Sequence, residues 1–198
     1  MSRTLAGLAA LAIVAAPAAA AGYGFNSSYT GTSVPTIGTL NININADLVR
    51  ETNSSYRQSG GEPEYIAPSD AEELVAELRE ELESDLSRTG VYAPMTAQPV
   101  GTLNVTIENA TASNPAHTEN GRNRNLDFRS AGRGGATISA ELLGPDGTPV
   151  AEFTYRWEES SFDMETSPRI GWMGAERAFE RFSDRLSREL TDRASGST

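Results

Sequence analysis

The side chains that most often carry catalysis are scarce in this sequence. Cysteine and lysine are absent, which excludes thiolate nucleophiles, thiolate metal sites, disulfides and lysine Schiff bases. The single histidine, His117, lies in the polar segment SNPAHTENG, where there is no cysteine for it to activate. We therefore interpret His117 as a solvent-exposed loop residue.

Paired carboxylates could also perform acid–base chemistry, but they need to face one another across a cleft. The densest set in this chain lies in one stretch with helical spacing, which predicts a solvated helix face. Its members are Glu72, Glu73, Glu77, Glu80, Glu81 and Glu83. No stretch has the ligand spacing of a calcium loop, and Gly60-Gly61 is a poor match to a phosphate-binding loop. We predict that the protein is not an enzyme and holds no cofactor or metal.

Arginines concentrate in one long polar segment, Thr111–Gly135, of an otherwise acidic chain. They are Arg122, Arg124, Arg129 and Arg133. Guanidinium groups pair well with anions, so the segment could dock a phospholipid headgroup, lipopolysaccharide, peptidoglycan or an acidic protein surface. The alternative interpretation is a solvated loop without a partner.

Two further features could form contacts. Asn41, Asn43 and Asn45 alternate with apolar residues, and Asn104 recurs in a second, similar segment. Their amides could bind a saccharide or pair with another strand or layer, or could simply face water on one side of a sheet. Trp172 begins the segment of the last helix, where it could form an exposed apolar contact or pack beneath the helix.

The N-terminus has the pattern of a secretory signal peptide. Arg3 precedes an apolar run, Leu5–Ala16, that Pro17 ends, and Ala18–Ala21 offers the small residues read by signal peptidase. We expect cleavage after Ala21 or Ala20, which makes residues 1–21 a signal peptide. No later stretch is long and apolar enough to span a bilayer, so we expect export to the periplasm, with the extracellular space as the alternative.

The charge balance disfavours nucleic acid as a partner. The chain carries 27 acidic and 16 basic residues, for a formal net charge of −11, which becomes −12 when Arg3 is removed. The phosphates of a nucleic acid repel such a surface unless a basic patch is set apart on it.

Periodicity predicts a single α+β domain over residues 36–193, after a flexible leader, 22–35, and before a disordered tail, 194–198. Strands follow from alternation of apolar and polar residues, and helices from apolar residues at helical spacing. A capping box, Ser69 to Glu72, and Gly90 set a helix over 69–89. The last helix is predicted from about Trp172 to Arg193.

The predicted order is β-α-β-β-β-α, a two-layer sandwich with a four-stranded antiparallel or mixed sheet and two amphipathic helices on one face. The segments GTLNININADL, from Gly38, and GTLNVTIENA, from Gly101, begin alike. We interpret them as two strands in one environment, which could run parallel on either side of a crossover helix.

The hairpin ISAELLGPDGTPVAEFTYRW and the final helix ERAFERFSDRLSREL resemble uncharacterised exported bacterial envelope families, many of them lipoproteins. The preceding strand–helix–strand is similar as well. The resemblance implies a domain like the N-terminal domain of TolB and the envelope domains of CsgG and FlgT. This chain lacks the lipoprotein cysteine, and the resemblance supplies no catalytic residues.

Together these observations predict an exported, non-catalytic envelope protein that contacts another envelope protein or an anionic envelope component. The alternative is a periplasmic module that binds a small ligand or glycan through its asparagines.

Overall fold

The computed structural model describes residues 24–31, 33–50, 65–94, 99–112, 134–159 and 171–196. Within them the chain forms five strands and two long helices. The strands are β1 (Gly24–Tyr29), β2 (Ile37–Ile44), β3 (Gly101–Thr111), β4 (Gly135–Leu143) and β5 (Pro149–Glu158). The helices are α1 (Pro68–Arg88) and α2 (Met173–Ala194), and a 3-10 turn, Ala46–Leu48, follows β2. No helix in the described part combines the length and apolarity needed to span a membrane.

The strands form one mixed sheet in the order β1-β5-β4-β3-β2, which confirms the α+β class. β2 and β3 are parallel, with α1 between them in the chain, and the other neighbours are antiparallel. The two similar segments lie side by side in register, since Leu40 pairs with Leu103 and Asn41 with Asn104. Their likeness thus reflects one shared place in the sheet.

The prediction of four strands is wrong. The additional strand, β1, comes from the segment predicted as a flexible leader, and it pairs antiparallel with β5. Its sequence, GFNSSY, lacks the apolar alternation that marks the other strands. The strand is held instead by its pairing with β5 and by the rings of Phe25 and Tyr29, which contact Phe153.

Both helices pack on one face of the sheet and enclose a single hydrophobic core. The inward residues of β3, β4 and β5 are nearly all buried, as are five residues of α1 at helical spacing. Phe179 and Phe182 of α2 are fully buried, and Phe182 lies 5.9 Å from the ring of Tyr155. Burial of this apolar surface is the main force that holds the two layers together.

The N-terminus of α1 differs from the predicted capping box. Pro68 is the first helical residue and Ala67 is the N-cap, with no side-chain capping bond. Proline favours this position because it needs no hydrogen-bond partner there and its φ is already helical. Ser69 therefore falls inside the first turn, where its hydroxyl donates to Asp70 at 3.4 Å.

The C-terminus of α1 ends as predicted at Gly90, whose φ is +75°. The Gly90 N–H donates to the Ser87 carbonyl, and the Val91 N–H donates to the Leu86 carbonyl, each at 3.0 Å. These two bonds form a Schellman motif, which satisfies carbonyls that the helix leaves without partners.

The two helices run parallel, side by side. The Trp172 indole at the start of α2 donates to Asp70 at the start of α1, at 3.1 Å. Farther along the two helices, the buried Ser183 hydroxyl donates to the Glu81 carbonyl, at 2.9 Å. The same sequence offset in both bonds shows that the helices keep one register along the seam.

Candidate interaction surface

The face of the sheet opposite the helices, here called the outer face, is polar and is covered by no element in the described ranges. Its side chains are amides, hydroxyls and carboxylates, with one arginine. They are Asn26, Ser28, Asn41, Asn43, Asn104, Thr106, Glu108, Thr137, Ser139, Glu141, Glu152, Thr154 and Arg156. Alternation along each strand places them on this face, since the residues between them face the core.

The predicted asparagines Asn41, Asn43 and Asn104 do lie together on the outer face. The Asn41 side-chain amide donates to the Oδ1 of the Asn104 side chain at 3.0 Å, across the parallel strands. Register continues this row through Glu141 to Glu152. A neighbouring row runs from Asn43 through Thr106, Ser139 and Thr154 to Asn26. The asparagines of β2 therefore stand at one end of polar rows that cross all five strands.

Asn45 does not belong to this surface as predicted, because β2 ends at Ile44. Its side-chain oxygen instead accepts from the Asp47 N–H at 3.1 Å, which caps the 3-10 turn. Short polar side chains favour such caps, because they satisfy backbone donors that a turn leaves exposed. The alternation of asparagines in the sequence continues past the point where the strand stops.

Carboxylates make the outer face acidic. Glu108 accepts from the Ser139 hydroxyl at 2.5 Å, and Arg156 pairs with Glu158 of the same strand at 2.7 Å. Glu141 and Glu152 stand opposite each other on β4 and β5. Like charges in opposed positions weaken a sheet, so this pair favours contact with hydrogen-bond donors or positive charge over simple exposure.

Trp172 is half-buried, and its ring packs against the core while its indole N–H bonds to Asp70. It thus packs at the start of α2, as the second of its two interpretations held. The exposed residue beside it is Met173, at 46% of its full accessibility. The arginines Arg122, Arg124, Arg129 and Arg133 lie outside the described residues, as does His117.

Acidic residues line the seam between the two helices. Burial raises the pKa of Glu81, and the negative charges of Asp85, Glu77 and Glu180 raise it further. The pKa of Glu176 is likewise raised, first by burial and then by Glu77 and Glu73. The described residues contain no group of three or more side chains placed to hold a metal ion.

A shallow, open groove of about 730 Å³ runs along α1, and all of its lining residues belong to that helix. Val75 and Arg79 are among its lining residues, and Arg79 also donates to the Leu40 carbonyl of β2 at 3.2 Å. The groove therefore lies on the helical layer, away from the asparagines of the outer face.

A row of arginines on α2 was missed by the sequence analysis. Arg181, Arg185 and Arg193 extend over the rings of Trp157, Tyr155 and Tyr29 at 5.0, 6.0 and 4.8 Å. A guanidinium over an aromatic face is held in place by cation–π attraction. The sequence contains a signal for this row. Acid–arginine pairs recur every four residues in the last helix, at residues 176–177, 180–181 and 184–185, and this spacing places the arginines on one side of the helix.

Comparison with known proteins identifies no family. No family model and no curated protein matches the chain. Among solved structures, a PelC dodecamer from Paraburkholderia phytofirmans is similar with a TM-score of 0.39 at 10% identity, over 85% of this chain and 96% of that one. A second PelC dodecamer structure from that organism has a TM-score of 0.38 at 10% identity, over 86% and 97%.

A Xanthomonas campestris protein of the family DUF330 has a TM-score of 0.39 at 16% identity, over 86% of this chain and 98% of that one. Because scores and identities are low, the function proposed below depends on the chain's own geometry. The resemblance to TolB-like and CsgG-like domains stays a prediction.

Proposed function

We propose that this chain is an exported, non-catalytic protein of the bacterial envelope that acts by binding a partner on its outer face. The observation that carries the proposal is the outer face itself: polar rows in register across five strands, with no described element over them. A polar sheet face needs no partner to fold, so the aligned amides and the opposed glutamates are the features that favour binding.

The shape of this surface favours a flat partner, such as another folded protein or a long polymer, over a small enclosed ligand. Small-molecule sites are concave and bury most of their ligand, whereas the described groove lies along α1. A module that binds small glycans through Asn41, Asn43 and Asn104 is the alternative. Titration with soluble glycan fragments, read at the asparagine amides by NMR, tests that alternative.

Site-specific photo-crosslinking in cells tests the main proposal. A benzoylphenylalanine is placed at Asn43 on the exposed part of the outer face, with Glu72 on the exposed side of α1 as the control position. We expect a discrete crosslinked product from position 43 and none from position 72. The product should disappear when Thr106→Arg and Thr154→Arg crowd the same face. Equal crosslinking at both positions, or none at position 43, contradicts the proposal.

Export is tested separately on the full chain. We expect the N-terminal sequence of protein recovered from the periplasm to begin at Gly22, or at Ala21 if cleavage follows Ala20. Protein that keeps Met1 and stays in the cytoplasm would refute export.

A further inference from the structure

The two edges of the sheet differ in how their backbone groups are used. At β2, the Ile37 N–H donates to the Val91 carbonyl and the Ile37 carbonyl accepts from Ala93, both at 2.8 Å. Farther along the same strand, the Leu40 carbonyl accepts from the Arg79 guanidinium. At β1, by contrast, the described pairing is with β5 alone. Among the described elements, β1 is therefore the edge with room for another strand.

The register of β1 identifies the backbone groups that point away from β5. The Thr30 N–H donates to the Val150 carbonyl at 2.9 Å. Because hydrogen-bonding direction alternates along an antiparallel pair, the residues at odd offsets from Thr30 direct their N–H and C=O outward. These residues are Phe25, Ser27 and Tyr29. The strand carries no carboxylate, arginine or proline that would block a further strand.

The side chains of the same three residues face the arginine row of α2. Phe25 lies beside Tyr155, which has Arg185 over its ring. Ser27 donates to Glu189 at 3.1 Å, and Arg193 lies over Tyr29. A four-residue step on a helix covers ~6 Å, and a two-residue step on a strand covers ~6.6 Å. The two repeats therefore have nearly the same length, so Arg185, Glu189 and Arg193 lie beside Phe25, Ser27 and Tyr29 in turn along the edge.

We propose that the β1 edge, together with this flanking row, binds an extended acidic peptide segment by adding it as a sixth strand. The peptide backbone pairs with Phe25, Ser27 and Tyr29. Its alternate side chains meet Arg185, Glu189 and Arg193 in turn, so the preferred pattern is acidic, any, basic or hydroxyl, any, acidic. This surface is separate from the outer face, and the inference stands independently of the function proposed above.

The charge of the flanking residues favours an acidic peptide at the β1 edge over a second copy of the chain. Arg185, Glu189 and Arg193, the residues that flank the edge, together carry a net positive charge, in a chain whose total is −11. Two-fold pairing of β1 with itself would bring two such positive rows against each other, and like charges at close approach cost free energy. An acidic peptide meets the same row with opposite charge.

The test uses the mature chain and a fluorescein-labelled peptide, Thr-Glu-Thr-Lys-Thr-Glu-Thr, with blocked ends. A charge-reversed peptide, Thr-Lys-Thr-Glu-Thr-Lys-Thr, is its matched control. In anisotropy titrations at low salt we expect the acidic peptide to bind at least about tenfold more tightly, since it forms ion pairs with the arginines that the control peptide's lysines cannot form. Equal binding of the two peptides overturns the charge match.

Two pairs of variants separate backbone pairing from charge. Ser27→Pro removes an outward N–H, whereas Ser27→Ala keeps it, and both lose the bond to Glu189. We expect Ser27→Pro to abolish binding and Ser27→Ala to preserve it. Arg185→Glu should reverse the preference between the peptides, while Arg188→Glu, on another side of α2, should not. Circular dichroism checks that each variant folds.

Hydrogen exchange supplies the direct readout of an added strand. The amides of Phe25, Ser27 and Tyr29 should become protected when the acidic peptide binds to the unaltered chain. Peptide binding without this protection would mean that the surface attracts anions without adding a strand, and it would overturn the proposal. The proposal would also be overturned if the chain bound anionic phospholipid vesicles as tightly as the peptide and the Ser27→Pro variant still bound those vesicles. Dimerisation through β1 in sedimentation without peptide would overturn it as well.

Discussion

Asn41 and Asn104 occupy the same position in two similar segments, one before and one after α1, and their side-chain amides are hydrogen-bonded to each other. Because the strands are parallel and in register, identical residues meet each other across them. The bond ties the edge strand β2 to β3 on the face that carries the proposed contacts.

A double-mutant cycle measures this bond. Asn41→Ala and Asn104→Ala should each reduce the free energy of unfolding, and their coupling should be about 0.5–1 kcal/mol, the net value of an exposed neutral hydrogen bond. Urea denaturation gives the four free energies. The neighbouring pair Asn43 and Thr106 is the control, and a coupling as large there would show that sheet packing, not the amide bond, accounts for it.

Gly90 supplies the left-handed residue that ends α1. Gly90→Ala should cost about 1–2 kcal/mol, because a Cβ clashes with the backbone at positive φ. Gly90→Asn should cost less, since asparagine tolerates this conformation. Thermal and urea unfolding check both. An alanine variant as stable as the unaltered chain would mean that the helix ends differently.

Phe182 of α2 is fully buried against the sheet, in contact with Phe25 and Tyr155. Phe182→Ala should destabilise the domain by about 3–5 kcal/mol, from lost burial and the cavity that remains. Met173→Ala, at the exposed start of the same helix, should stay within about 0.5 kcal/mol. Similar losses in both variants would contradict the described packing of α2.

Acidic residues of the helix seam should make stability depend on pH. A carboxyl with a raised folded pKa binds protons more tightly in the folded chain than in the unfolded one, so stability falls as the pH rises above the ordinary glutamate pKa of about 4.3. Glu81 and Glu176 have such raised pKa values. Above that pH their charges oppose folding, and below it the penalty disappears.

Glu81→Gln should therefore raise the melting temperature at pH 7 and change it little at pH 4. The gain is on the order of 0.5 kcal/mol, because the partly buried carboxylate is no longer charged and its like-charge pairs with Asp85 and Glu77, one turn away on α1, are relieved. Glu72→Gln, on the exposed side of α1, is the control, with Pro68 and Ala76 one turn away. A gain that is equal at both pH values would refute this explanation.

The bond from Trp172 to Asp70 should set the position of α2 against α1. Asp70→Ala should cost about 1–2 kcal/mol, because it leaves a half-buried indole N–H without an acceptor. Asp70→Asn keeps an acceptor and should cost less. Tryptophan fluorescence should shift to the red in the alanine variant, and an unchanged spectrum would mean that the indole environment does not depend on Asp70.

Features with strong local patterns were predictable from the sequence. The alternation in GTLNINI and GTLNVTI predicted two strands, and their likeness suggested the parallel pairing that the register of Leu40 with Leu103 confirms. The Pro-Asp-Gly turn also forms where it was expected, with Asp146 accepting from the backbone and hydroxyl of Thr148. The strands and the turn follow from neighbouring residues, and the pairing follows from the likeness of the two segments.

Features that depend on distant parts of the chain were missed. β1 has serine at its central inward position, and it forms because β5 and Glu189 of α2 supply its partners. The arginine row was missed for a related reason, since its members gain their fixed positions from rings on other elements. The capping box failed because Pro68 began the helix before Ser69 could cap it.

The register of Gly24 with Arg156 also bears on the order in which the molecule can assemble. A chain is made from its N-terminus, so β1 emerges first of the described strands, yet its partner β5 is the last of them to appear. The β4–β5 hairpin and the parallel pair around α1 can form before β1 docks. Long-range pairing is slow because a large loop must close, so the strand made first is expected to be the last to pair, and a ribosome-bound chain holds it unpaired.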